Sequence, residues 1–202
     1  MGRSRLKPIR QPNDYTCGPA ALKHALAILG VKRSLTFLAK ICQTNGHNGT
    51  STKNLVKAIK KLGLSVLVHE RTTLAHVRGA LRYTPGNPRA VMVSYLYYKD
   101  ADGIPHPESG HWATVASYKP SVARIVLLDS YAGTRTSYRW QEFRSRWIDY
   151  DLKRRTVSNG GNSFRLIRHW QRQLMVVIAE DSRNLPHYRN TRTRLFTPVS
   201  PR

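Results

Sequence analysis

Cys17 lies in the stretch QPNDYTCGPAAL, followed by Gly-Pro and then by residues that read as helix. Proline is tolerated in a helix only in its first turn, where the missing N–H costs nothing. The thiol therefore sits at a helix N-terminus, where the positive end of the helix dipole favours thiolate. A thiol nucleophile needs a base, and the base needs a group that orients it. His111 opens the strand-like run HWATVASY, and Asp129 closes the next one, ARIVLLDS, with only KPS between them. A hairpin centred near Pro120 sets His111 and Asp129 directly opposite each other, with Cβ atoms ~5 Å apart. A slip of one residue would put them on opposite faces. Asp129 follows the apolar run IVLL, where a carboxylate needs a partner. An acyl-transfer site also needs donors for the developing oxyanion. The Cys17 N–H, unpartnered in a first turn, and the side chain of Gln11 are the candidates. Taken singly, each residue has an ordinary alternative: a core cysteine, a satisfied strand histidine, a loop-capping aspartate, a loop glutamine. Matched positions across three segments favour the chemistry.

The elements that must carry these residues can be read from periodicity. Leu22, Leu26 and Leu29 share one helical face, and Gly30 suits the C′ position. A second helix follows Ser34, and a third follows Ser51 or Thr52 and stops at Gly63. LSVLVHE alternates as a strand, and Thr73 to Leu81 reads as a helix. AVMVSYLYY, HWATVASY, ARIVLLDS and RQLMVVIAE read as strands, with a short helix at SYRWQEFRSRW and a basic loop at LKRRTVSNGGN. Helices first and an antiparallel sheet after them make an α+β pattern. Residues 1–7 are expected to form a basic arm, 8–180 the domain, and 181–202 a flexible basic tail.

Composition narrows the function classes. With 202 residues and 40% hydrophobic content, the chain can bury a core. No apolar run approaches the ~18 residues of a membrane helix, and no P-loop, CxxC or HExxH spacing occurs, so neither metal nor cofactor is expected. The start, MGRSRLKPIRQP, has no apolar run behind it and is not read as a secretory signal. Two cysteines make no disulfide framework. Cys42 is expected to be a buried small hydrophobe, and a cytoplasmic, reducing location is expected, with packaging in a particle or leaderless export as alternatives. Against 11 acids stand 34 Lys and Arg, a formal charge of +23. Such a field favours anionic partners, among them nucleic acid.

Gln11 followed by Cys17-Gly18-Pro19-Ala20-Ala21-Leu22, Gly110-His111 opening a strand, and Asp129 closing the next resemble the motifs of C39-like cysteine peptidases. Leu38-Ala39-Lys40, Gly49-Thr50-Ser51, Leu55 and Lys61-Leu62-Gly63-Leu64 are similar to that family's helical region. The resemblance covers about residues 8–150. It implies a papain-like fold, a peptide or protein substrate, Cys17 as nucleophile, His111 as base and then acid, Asp129 as orienting residue and Gln11 as oxyanion donor. Thr16 stands where the family often has Asp, and Ser130 where many members have Pro. Many members cut leaders of exported peptides, but this chain carries no exporter helices and no ATPase motif. Two alternatives remain open: a transpeptidase of phytochelatin-synthase type, and a non-catalytic basic scaffold binding nucleic acid or an assembly.

Overall fold

The computed structural model describes residues 6–82, 86–156, 164–188 and 192–198. Three helices open the chain: α1 (Cys17–Ile28), α2 (Leu35–Ile41) and α3 (Thr52–Lys61). The side chains of Ser34 and Ser51 accept from Phe37 N–H and Asn54 N–H and so cap α2 and α3. β1 (Ser65–His69), α4 (Leu74–Leu81) and β2 (Arg89–Leu96) follow. Then come β3 (Gly110–Lys119), β4 (Arg124–Asp129), β5 (Thr134–Arg139), α5 (Trp140–Arg146), β6 (Ile148–Thr156), β7 (Phe164–Arg172), β8 (Met175–Ala179) and β9 (Thr193–Phe196).

Seven strands form one antiparallel sheet in the order β5-β4-β3-β2-β8-β1-β9, and β6 and β7 pair as a separate ribbon. One sheet face packs on α1, α2 and α3 through Val66, Met92, Trp112 and Val176. The other packs on α4 and α5 through Val91, Tyr95, Leu127 and Val177. Strands buried on both faces read as continuous apolar runs, which is the pattern of AVMVSYL and MVVIA. Helix α1 is enclosed almost all round. Ala20, Ala21 and Ala25 are buried and small enough to let it approach the sheet. The Thr114 hydroxyl donates to Ala21 O at 2.7 Å, reaching the helix backbone directly.

The structure departs from the sequence reading in three places. The basic loop begins as strand: its residues 152–156 belong to β6, while 157–163 lie outside the described residues. The pattern hid this because the ribbon projects from the core, so its residues are mostly polar and exposed. β5 was not expected either. It is an edge strand with one buried residue, Tyr138, and so carries little apolar signal. The 181–202 segment is not a free tail where it is described. Leu185 enters the core, and β9 pairs with β1 along Val66 to His69. Backbone pairing holds β9 in place although Arg194 and Leu195 are exposed. The ends of the expected arm and tail, residues 1–5 and 199–202, lie outside the described residues. Leu6 packs against the core.

Candidate active site

Cys17 is the first residue of α1, and its neighbour Gly18 lets another segment come close. A Cβ on Gly18 would stand 2.6 Å from Thr50 Cβ. Thr50 belongs to a loop closed by two backbone hydrogen bonds between Asn45 and Gly49, at 3.2 and 2.9 Å. The loop is fixed from two more directions. Thr44 and Thr50 hydroxyls meet at 2.6 Å, and Trp112 Nε1 donates to Thr50 O at 3.0 Å. Trp112 therefore packs in the core and also anchors this loop. The glycine after the thiol is thus a spacing requirement.

His111 and Asp129 share a sheet face, but they are not directly opposed. Thr114 pairs with Leu128 and Val115 with Leu127. Ala116 is then the extra residue of a β-bulge, and Ser117 pairs with Val126. Continuing the register brings Asp129 opposite Ala113, a diagonal neighbour of His111. A symmetrical hairpin about Pro120 misplaces the pair by two residues. The bulge shifts the register by one and restores the parity that puts both side chains on the same face. His111 Nε2 lies 3.2 Å from Asp129 Oδ1, an ion-pair approach slightly off the line of a well-directed N–H···O bond.

The carboxylate of Asp129 is buried and well supplied with donors. Oδ1 accepts from Tyr131 N–H at 2.9 Å and Ala132 N–H at 3.3 Å, and Oδ2 accepts from the Thr136 hydroxyl at 2.8 Å. Burial alone would raise its pKa. The hydrogen bond and charge of His111, with Thr136 and Ala132 behind them, win and hold it at about 2. For His111 burial opposes the charged form, but the neighbouring Asp129 carboxylate and Cys17 thiol outweigh it, raising the imidazole to about 9. The rings of Tyr97 and Tyr95 stand edge-on to the imidazole at 5.0 and 5.6 Å. They come from alternate positions of the run YLYYK, which reads from sequence only as a strand.

Gln11 is buried and tied to the residue after Asp129. Its N–H donates to Ser130 O at 2.8 Å, and its side-chain oxygen accepts from the Ser130 hydroxyl at 2.8 Å. Gln11 Nε2 donates to Asn13 O at 2.8 Å, which uses one of two amide hydrogens. His24, on α1, is buried, and its Nε2 accepts Ile9 N–H at 2.9 Å, anchoring the segment that carries Gln11. All four predicted residues therefore fall on connected elements. Thr136, Ser130, Tyr97 and His24 are the supports that sequence did not single out; only Asp129-Ser130 drew notice, as a departure from a motif. His106 turns back on its own loop and accepts Glu108 N–H at 3.3 Å. Cys42 is buried, and burial pushes its thiol up to about 12; both cysteines are free.

Cys17 lies in the wall of a cavity of about 380 Å³, bordered by the 45–51 loop, Gly110 and the start of β6. That volume is within the usual range for ligand sites. Among the described residues no group of His, Cys, Asp and Glu could hold a metal ion, and no helix is long and apolar enough to cross a membrane.

Residues 4–152 match the Peptidase_C39 like family. The peptidase domain of Streptococcus ComA, a bifunctional ABC transporter involved in quorum sensing, superposes with a TM-score of 0.60 at 18% identity, over 87% of this chain and 98% of that one. A double-glycine-motif protease from an AMS/PCAT transporter, solved with its leader peptide, gives 0.56 at 14% identity, over 88% and 94%. The Streptococcus mutans ComA peptidase domain gives 0.50 at 15% identity, over 86% and 99%. No curated protein matches the sequence. At such identities the likeness concerns the fold, which is the mixed helix and antiparallel sheet of papain-like C39 peptidase domains.

Proposed function

Because the chain belongs to the Peptidase_C39 like family, we propose that it is a cysteine peptidase that hydrolyses amide bonds through Cys17, His111 and Asp129. The observation that carries this reading is the buried His111–Asp129 contact at 3.2 Å, with Cys17 close enough to the imidazole to help hold it charged. Cys17 sulfur attacks the carbonyl carbon, and the oxyanion is received by the Cys17 N–H and the second amide hydrogen of Gln11. The His111 imidazolium then gives its proton to the leaving amine, which departs as the thioester forms. Neutral His111 next takes a proton from water, whose oxygen displaces sulfur from the acyl carbon. Asp129 keeps the ring oriented throughout.

Iodoacetamide labelling tests the nucleophile. Cys17 is expected to label faster than Cys42 at neutral pH, and His111→Ala is expected to slow it. A Cys17 rate indifferent to His111→Ala overturns the reading. Trapping the acyl-enzyme from a peptide library identifies the substrate. A trapped acyl group released to an amine rather than to water makes the reaction a transpeptidation.

A second reading concerns polyanions and rests on the ribbon. Phe164, Leu166 and Trp170 are exposed on β7. The Arg154 guanidinium lies 4.4 Å over Phe164, and that of Arg168 lies 5.0 Å over Tyr150. Arginine interleaved with aromatic faces suits a nucleic-acid backbone and its bases. A steep salt dependence of RNA or DNA affinity, reduced by Arg154→Ala, supports that role; a flat one removes it.

A further inference from the structure

Acidic side chains are scarce in this protein, 11 against 34 Lys and Arg. Four of them, Asp14, Glu108, Asp149 and Asp151, line the cavity whose wall contains Cys17, and no Lys or Arg is among its described lining residues. They come from three separate segments: the loop before α1, the loop between β2 and β3, and β6. The local sign is therefore opposite to that of the whole molecule.

The four carboxylates are not equivalent. Asp151 accepts Thr52 N–H at 3.1 and 3.2 Å and so caps α3. Glu108 is paired with Arg168 and accepts the Tyr150 hydroxyl at 2.8 Å. Asp14 stands exposed near the entrance. Asp149 is buried against Gly110, where a Cβ would lie 2.5 Å from its Oδ1. It accepts from the Ser94 hydroxyl and from Tyr150 N–H at 2.8 Å. A carboxylate has about four lone-pair sites, so Asp149 keeps acceptor capacity after these two bonds. All of its described donors are neutral. It sits beside the residue that precedes His111, and thus close to where the acyl chain must lie.

We propose that this carboxylate-lined cavity receives a cationic side chain, lysine or arginine, from the peptide segment next to the scissile bond. The inference rests on the reading of Cys17 as the attacking atom. Asp149 supplies the counter-charge at the depth of the cavity, and Asp14 supplies it at the mouth. Gly110 is glycine because that carboxylate occupies the space of its side chain.

Two measurements on the full chain separate this proposal from the peptidase reading. The first uses quenched fluorescent peptides that differ only in lysine against norleucine at each position around the cleavage site. At one position lysine is expected to raise kcat/KM by at least about tenfold, and Asp149→Asn is expected to bring the ratio near one. Equal rates at every position, or a preference that survives Asp149→Asn, overturn the proposal and leave the peptidase reading standing. The second compares labelling of Cys17 by aminoethyl and sulfonatoethyl methanethiosulfonate, with Cys17→Ala as the control for Cys42. The cationic reagent is expected to be faster, despite the protein's positive charge. Asp149→Asn, and to a smaller degree the exposed Asp14→Asn, are expected to reduce the difference. A faster anionic reagent overturns the proposal. Failure to cut any peptide overturns the peptidase reading, and the reagent pair still judges the cavity.

Discussion

The hydroxyl of Ser130 donates to the side-chain oxygen of Gln11 at 2.8 Å, across 119 residues of sequence. This bond fixes which end of the Gln11 amide is the donor end. Ser130→Ala frees the amide to rotate, so kcat is expected to fall severalfold with little change in KM. Gln11→Ala removes the donor itself and is expected to lower kcat by about 10²–10³. Steady-state kinetics on one peptide checks both. A change confined to KM would assign Gln11 to substrate binding.

The His111–Asp129 pair makes stability depend on pH in two windows. The folded pKa of His111, about 9, lies above its unfolded value of 6.5. Its contribution is full below 6.5 and is lost as pH rises through 9. Asp129 at about 2 lies below its unfolded value, so its contribution is full above about 4 and is lost as pH falls through 2. Urea midpoints of wild type and His111→Ala are therefore expected to differ most between pH 4 and 6.5 and to converge toward pH 9.

Two glycines near the site are held by space. Gly18→Ala places a methyl carbon 2.6 Å from Thr50 Cβ, and Gly110→Ala places one 2.5 Å from Asp149 Oδ1. Each is expected to cost about 1–3 kcal/mol of stability and to slow labelling of Cys17. Chemical denaturation and iodoacetamide rates measure the two effects. Gly30→Ala serves as a control for overpacking, since nothing lies within 4 Å of its Cβ position, although its φ of +79° adds strain of its own.

His24 predicts acid sensitivity of the segment that carries Gln11. Burial first, and then the charge of Lys23, pull its pKa down to about 4, against a weaker upward pull from Asp129. The folded value lies below the unfolded 6.5, so stability is lost as pH falls from 6.5 to 4, by on the order of 3 kcal/mol. His24→Gln removes this titration. Its urea midpoint is expected to change less than that of wild type over the same range.

The candidate site was more legible in sequence than its surroundings. Cys17, His111 and Asp129 show themselves by type and by position at the ends of periodic segments. The helix caps Ser34 and Ser51 follow from local chemistry and stand where expected. Tertiary contacts leave no such mark. Ser130 reaches Gln11, Thr136 reaches Asp129, and His24 reaches Ile9, each through a single polar atom with no periodic pattern behind it. The ribbon and the edge strands β5 and β9 were missed because they bury little, and burial is what writes alternation into a sequence. The acids around Cys17 were visible only as a shortage elsewhere. Their convergence needed the fold.

The bulge at Ala116 makes the His111–Asp129 pairing a matter of counting. Without that one residue, the register set at the turn would run on and leave His111 and Asp129 facing opposite layers of the protein. Substitution at 116 can keep the count, whereas a single-codon deletion anywhere between His111 and the turn breaks it. Among natural variants, length in this segment is therefore expected to be more tightly held than residue identity. Gene copies that have lost one codon here are expected to encode a folded but catalytically silent protein.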